Sequence, residues 1–226
     1  MTARHQIDAV LFDLDGTLLD TAPDMAAALN RLLLEQDRAE LPFERLRPVV
    51  SHGSLGLLRA GFGADLDPEQ LPGLTQRFLE IYAGALAVNT TPFEGAAEVL
   101  DALENAGTPW GIVTNKPGWL TQPVLEALEL QQRAGCVVSG DTLEQRKPHP
   151  APLHHAAKLL GQDPRNCIYV GDAERDIQAG RAAGMVTLVA SYGYIESHET
   201  PETWNADGSL SRLQDLKEWL TVATAR

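Results

Sequence analysis

Two aspartates stand two residues apart in Val10-Leu11-Phe12-Asp13-Leu14-Asp15-Gly16-Thr17, where a short apolar run ends in carboxylates, a glycine and a hydroxyl. Carboxylates this close can divide a displacement between them, one attacking or holding a cation while the other gives and takes a proton. In an extended chain, positions i and i+2 project to the same side, which would aim both groups at one small volume. Gly16 lets the backbone turn immediately afterwards. Taken alone, the same residues also describe a buried strand closed by an Asp-Gly turn.

Other segments add what a bare turn would lack. Ile112-Val113 runs into Thr114-Asn115-Lys116, Arg146-Lys147-Pro148 follows a third apolar run, and Ile168-Tyr169-Val170 runs into Gly171-Asp172 with Asp176 four residues on. Brought together, Asp13, Asp15, Asp172 and Asp176 would repel and push one another's pKa upward unless a divalent cation neutralised them. An all-oxygen site with room for water favours Mg²⁺. The cation and Lys147 would then bind a dianionic phosphate, with the Thr114 hydroxyl and backbone amides after Asp13 holding its remaining oxygens.

Elements that could assemble these groups are legible in the hydrophobic pattern. Val10 to Phe12 is continuous and apolar, as in a central parallel strand covered on both faces. Further apolar runs at Trp110 to Thr114, Cys136 to Ser139, Cys167 to Val170 and Val186 to Val189 alternate with helical stretches at Leu120 to Leu128, Leu153 to Leu160 and Asp176 to Ala183. About five strands alternating with helices predict an open, mostly parallel α/β sheet, in which ligands bind beyond the C-terminal strand ends. The exception is the first crossover. Asp20 to Glu35 reads as a helix with Thr21 or Asp20 as N-cap and Pro23 in its first turn, yet the next strand candidate is Trp110. Between them, Leu74, Phe78, Ile81, Tyr82 and Ala85 form an amphipathic stripe, and Leu46 to Leu58 is interrupted by Ser51-His52-Gly53-Ser54. Residues 20–88 are therefore expected to be a helical cap inserted after the first strand of a core built from 1–19 and 89–226, with hinges at Leu18 to Thr21 and Asn89 to Phe93.

Composition narrows the partners. The 226 residues carry 18 Lys and Arg against 31 Asp and Glu, a net charge of -13 that disfavours nucleic acid and anionic membrane surfaces. No signal-like or membrane-spanning segment is apparent, so the expected location is cytoplasmic. Cys136 and Cys167 each begin an apolar run and are expected to remain free, buried thiols. His149, His154 and His155 lack zinc spacing and are read as loop and helix surface.

The ordered set Asp13-Leu14-Asp15-Gly16-Thr17, Thr114-Asn115, Lys147-Pro148 and Gly171-Asp172 with Asp176 resembles the haloacid dehalogenase superfamily across nearly the whole chain. Val113 to Pro117 and the helical insertion are similar to the phosphoglycolate phosphatase family within it. Gly171 to Asp176, Tyr192-Gly193-Tyr194-Ile195 and the stretch from Pro201 to Asp207 with Trp204 look like a branch containing N-acetylmuramic acid 6-phosphate phosphatases.

The resemblance implies a Rossmann-like core and a phosphatase acting on a small phosphorylated metabolite. In that chemistry Asp13 is the nucleophile, Asp15 the acid and then the base, and Lys147 a catalytic cation. Asp13, the Asp15 carbonyl and Asp172 would hold Mg²⁺, with Asp176 orienting metal waters or Lys147. Thr17, Thr114, Asn115 and Lys147 are implied on the phosphate side, Thr17 as support for the turn. Ser51 and His52 are candidates for substrate contact from the cap or for a solvated loop, and Ser51 departs from the glycine-rich turn common in the family. Arg47 and Arg59 are candidates for an anionic group of the substrate or for solvated charge. A sugar phosphomutase shares these motifs. A phosphate-accepting receiver domain would be shorter and would not place Asp15 beside the nucleophile, and a dehalogenase would lack both Asp15 and the metal site. Monomer and homodimer are both compatible with the sequence.

Overall fold

The structure is a computed structural model describing residues 7–63 and 66–224. The chain runs β1 (Ala9–Phe12), β2 (Leu19–Asp20), α1 (Ala22–Glu35), α2 (Phe43–Leu46), α3 (Gly53–Phe62), α4 (Leu71–Ala83), β3 (Thr91–Pro92), α5 (Ala96–Asn105) and β4 (Trp110–Val113). It continues through α6 (Gly118–Ala127), β5 (Cys136–Val138), α7 (Ala151–Leu159), β6 (Cys167–Gly171), α8 (Glu174–Ala182), β7 (Val186–Ala190), β8 (Gly208–Leu210) and α9 (Leu216–Thr224). The main sheet has the order β5-β4-β1-β6-β7-β8, and every pairing in it is parallel. The sixth strand, β8, lies outside the set that the hydrophobic pattern predicts. It has three residues, and Gly208 and Ser209 carry no apolar signal ahead of Leu210.

Alternation along β1 explains why the sheet is covered on both sides. Val10 and Phe12 join one apolar core with Leu100, Leu103, Ile168 and Leu213, while Ala9 and Leu11 join another with Leu153, Ala156, Tyr169 and Ala179. All four residues of β1 are fully buried. β1 is also where the strand order reverses: the chain first builds outward through β4 and β5, then returns to the other side of β1 with β6 and β7. Crevices at such reversals open beyond the C-terminal strand ends, and here those ends carry Asp13, Thr114 and Asp172.

The segment between β1 and β4 has its own apolar interior. Leu29, Leu32 and Leu33 of α1 pack with Leu57 and Leu58 of α3 and with Phe78 and Tyr82 of α4. A 3₁₀ helix, Arg47–His52, takes up the interruption between α2 and α3. The two hinge stretches are not simple breaks in pattern. β2 and β3 pair antiparallel, Leu19 opposite Pro92 and Asp20 opposite Thr91, so entry and exit of the helical segment are stapled together. The buried carboxylate of Asp24 reinforces the staple by accepting hydrogen bonds from the Val88, Asn89 and Thr90 amides and from the Thr90 hydroxyl. Cys136 and Cys167 are free and buried, and burial pushes their thiols up to about 12 and about 11. No helix among the described residues is long and apolar enough to cross a membrane.

Candidate active site

A cavity of about 960 Å³ opens between the C-terminal edge of the sheet and the helical segment. Asp13, Asp15, Thr114, Asn115 and Lys147 line it from the sheet side, and Ser51, His52, Arg59, Phe78 and Tyr82 from the helices. Asp13 and Asp15 share it for a reason different from strand alternation. The chain leaves the strand after Phe12 and turns, Asp15 forming an isolated bridge with Leu19, so the turn rather than the pleat brings Asp15 round. Gly16 completes that turn at φ +84, and a β-carbon there would collide with the Asp172 carboxylate.

Each carboxylate is held by one oxygen. Asp13 Oδ1 accepts from the Leu14 amide at 2.7 Å and faces Lys147 Nζ at 2.9 Å. Asp15 Oδ1 accepts from the Thr21 hydroxyl at 2.7 Å and from Lys116 Nζ at 3.0 Å. Thr21, expected as a helix cap, makes no capping bond and spends its hydroxyl on Asp15 instead. Lys116 also donates to the Tyr82 hydroxyl at 2.9 Å, which links the loop after β4 to α4.

Beneath these groups lies a fully buried ion cluster. Lys147 Nζ meets Asp13 Oδ1, Asp176 Oδ1 at 2.8 Å, the Val113 carbonyl at 2.9 Å and the Tyr169 hydroxyl at 2.8 Å. An ammonium has three protons, so this lysine is saturated by the protein. Asn115 lines the cavity but spends its side-chain amide on the Lys147 backbone. Its amide donates to the Lys147 carbonyl at 2.9 Å and accepts from the Lys147 amide at 3.1 Å, which fixes the backbone from which the lysine reaches inward. Thr114 Oγ1 accepts from the Lys116 amide, so its own proton remains available to the cavity. Thr17 is fully buried and donates to Asp172 Oδ1 at 3.3 Å, a support for the site and not a substrate contact.

Asp13, Asp172 and Asp176 bring carboxylate oxygens within 4.8 Å of one another. Burial, together with the charge of Asp176, pushes Asp13 up to about 6 against the opposing pull of Lys147. Burial and the charges of Asp13 and Asp176 push Asp172 up to about 7. Asp176 moves the other way: burial raises it, but Lys147 and Arg175 outweigh burial and hold it below the usual carboxylate range. Mutual repulsion therefore acts with burial on two of the three, and a divalent cation is the partner that relieves it. The all-oxygen set suits a hard cation. Asp176 is already engaged by Lys147 and by the Ala173 amide at 3.0 Å.

The helical segment touches this cluster directly. Ser51 Oγ donates to Asp172 Oδ2 at 2.5 Å, His52 Nε2 lies 2.8 Å from Glu196, and Arg175 donates to the Ser51 carbonyl at 2.7 Å. Arg47 is half-buried and outside the cavity lining; it donates to the Tyr192 and Gly193 carbonyls and stacks on Tyr194. Arg59 is exposed at the cavity wall. Tyr192 and Tyr194 brace the loop after β1, through bonds to the Thr17 carbonyl and to Asp20, while Trp204 packs with Ile177 and Val189 away from the cavity. His149 and His154 lie on the surface, and neither they nor His155 belong to a metal-competent group among the described residues.

Four residues with contacts to this machinery have no role assigned from sequence. Lys116 and Arg175 lie inside motifs already singled out, and their charge beside an acidic site is the available signal. Tyr169 is indistinguishable from core in its apolar run, and Tyr82 from the amphipathic stripe.

The family model for haloacid dehalogenase-like hydrolases matches residues 10–190. The chain is 48% identical over 198 residues to a phosphoglycolate phosphatase of Xylella fastidiosa, covering 88% of this chain and 86% of that protein. It is 41% identical over 220 residues to an N-acetylmuramic acid 6-phosphate phosphatase of Pseudomonas aeruginosa, covering 97% of each. A crystal structure of a predicted phosphoglycolate phosphatase from Haemophilus somnus superposes with a TM-score of 0.83 at 25% identity, covering 94% of this chain and 97% of that one. With its two aspartates at the switch point of a parallel sheet and a family match over most of its length, the chain belongs to the haloacid dehalogenase-like hydrolases.

Proposed function

We propose that this protein is a Mg²⁺-dependent phosphatase of a small carboxylated phosphate ester, with N-acetylmuramic acid 6-phosphate favoured over 2-phosphoglycolate. The observation that carries the substrate class is the cavity: about 960 Å³ suits a sugar-sized ligand and far exceeds what a two-carbon acid requires. Residues 20–88 act as a cap over a core of 1–19 and 89–226, excluding water and meeting the organic half of the substrate.

In the first step an oxygen of Asp13 attacks phosphorus. The lysine and amide contacts on its Oδ1 leave Oδ2 for the attack. The bond to the leaving oxygen breaks as Asp15 delivers a proton to it. In the second step Asp15, now ionised, takes a proton from water, which attacks the aspartyl-phosphate and releases phosphate and Asp13. Thr21 and Lys116 both hold Asp15 by Oδ1, leaving Oδ2 for proton transfer. Asp13, Asp172 and the Asp15 carbonyl would hold Mg²⁺, which supplies charge neutralisation for the phosphate oxygens.

Free phosphate and sugar isomers are followed across a panel of phosphorylated metabolites. Highest kcat/KM for N-acetylmuramic acid 6-phosphate with stoichiometric phosphate is the expected result. Preference for 2-phosphoglycolate overturns the substrate, and isomer formation without phosphate release overturns the reaction in favour of a phosphomutase.

A further inference from the structure

The phosphate dianion calls for a cation besides the buried lysine. Lys147 lines the cavity but already has more acceptors than protons, all from the protein. Lys116 spends two donors on Asp15 and Tyr82. Arg59 and Arg146 line the cavity but are exposed, where solvent screens them. Arg175 differs from all of these. It is half-buried at the start of α8, next to Asp176, and lines the same cavity as Asp13 and Thr114. Among the described residues its hydrogen-bond partner is the Ser51 carbonyl, which engages one Nη2 proton of the five the guanidinium carries.

We propose that Arg175 grips the phosphoryl oxygens of the substrate, and that its bond to Ser51 makes this grip depend on the closed cap. A guanidinium presents paired N–H groups in a plane that matches two phosphate oxygens, which an ammonium cannot do. The charge balance also requires it. Asp13, Asp172, Asp176 and Lys147 sum to two negative charges, a divalent cation cancels them, and an arriving phosphate dianion then meets no remaining positive charge except from the cavity wall. The Ser51 carbonyl fixes where the fork points, and Ser51 is simultaneously tied through its hydroxyl to Asp172. Opening the cap breaks the contact that orients Arg175, so the full phosphate cradle exists only over a closed site.

This rests on the phosphatase reading above, and the test separates the two. Arg175→Gln and Arg175→Lys are assayed on p-nitrophenyl phosphate and on N-acetylmuramic acid 6-phosphate, with inorganic phosphate as competitive inhibitor and as a stabiliser in thermal melts. Arg175→Gln is expected to lose about 100-fold in kcat/KM on both esters alike, and to weaken inhibition by inorganic phosphate about tenfold. Arg175→Lys, which keeps a donor for Ser51 but has no fork, is expected to fall between. Loss confined to the sugar phosphate, or phosphate inhibition within about threefold of wild type, overturns the proposal. If Arg175→Gln does not fold, unchanged phosphate inhibition in Arg175→Lys overturns it equally. Wild-type protein that releases phosphate from neither ester refutes the phosphatase reading. Stabilisation by inorganic phosphate, compared between wild type and variant, still decides whether Arg175 holds the anion.

Discussion

Replacing Asp172 with Asn should stabilise the metal-free protein at alkaline pH, although it removes a residue of the reaction centre. Asp13 stands at about 6 and Asp172 at about 7 in the folded chain, against an ordinary 3.8. A carboxyl whose pKa is raised on folding holds its proton more tightly in the native state. Its contribution to stability is therefore full below pH 3.8 and lost as pH climbs through the folded value. Between about pH 5 and about pH 8 the loss amounts to roughly 1.4 kcal/mol for Asp13 and roughly 2.6 kcal/mol for Asp172. At about 2–4 °C per kcal/mol for a chain of this size, the chelated protein should melt on the order of 10 °C lower at about pH 8 than at about pH 5. Mg²⁺ should restore the difference at the higher pH and do little at the lower, where protons already occupy the site. Asp176, whose pKa is lowered, loses its contribution only as pH falls below the ordinary carboxylate range, outside this window.

The variant isolates the cause. In Asp172→Asn, the new side-chain amide can keep its oxygen toward the Ser51 hydroxyl and the Tyr194 amide, which now bond Asp172 Oδ2, and offer its NH₂ to Thr17. The substitution therefore removes a buried charge and keeps each partner in a hydrogen bond to the side chain, the Thr17 hydroxyl accepting where it had donated. Differential scanning fluorimetry in chelator at the two pH values, with and without Mg²⁺, reads all four corners. A wild-type melting temperature that is flat across this pH range would refute the reasoning, as would a chelated Asp172→Asn protein less stable than wild type at the higher pH.

Asp13→Asn should lower turnover by about 10³-fold or more with the fold intact, read by phosphate release and circular dichroism, since no other group can replace the nucleophile. Chelation should stop activity and Mg²⁺ restore it, while Ca²⁺ inhibits because its looser coordination lets Asp13 bind through both oxygens and lose its attacking one; full activity in excess chelator removes the metal from the mechanism. Lys147→Met should cost on the order of 3–5 kcal/mol in urea denaturation at about pH 8, because it leaves Asp13 and Asp176 buried without their counter-charge. Gly16→Ala should reduce turnover roughly 100-fold, by straining a positive-φ turn and displacing Asp172; activity near wild type would show that the turn has slack.

How much of this is legible in the sequence follows from which interactions are local. The sheet announces itself because a buried parallel strand must be apolar throughout, and its chemical groups stand directly after such runs at Asp13, Thr114 and Asp172. Shortness and a weak apolar signal hide β8. Sequence puts Asn115 and Thr17 in the correct loops, but only the fold shows that their polar atoms bond to the Lys147 backbone and to Asp172. The contacts between cap and core lie beyond any pattern. Ser51 and Asp172 are 121 positions apart, Ser51 and Arg175 124, and Tyr82 and Lys116 34. None of these pairs has a periodicity or spacing that links its members. Yet each joins the cap to a loop bearing a reactive carboxylate or its partner, Lys116 to Asp15 and Ser51 to Asp172. A cap that only covered the site would need none of them. Because these bonds tie the helical segment to the core's cations and carboxylates, the proposed closure would do more than exclude water: it would complete the geometry in which the proposed phosphoryl group is held.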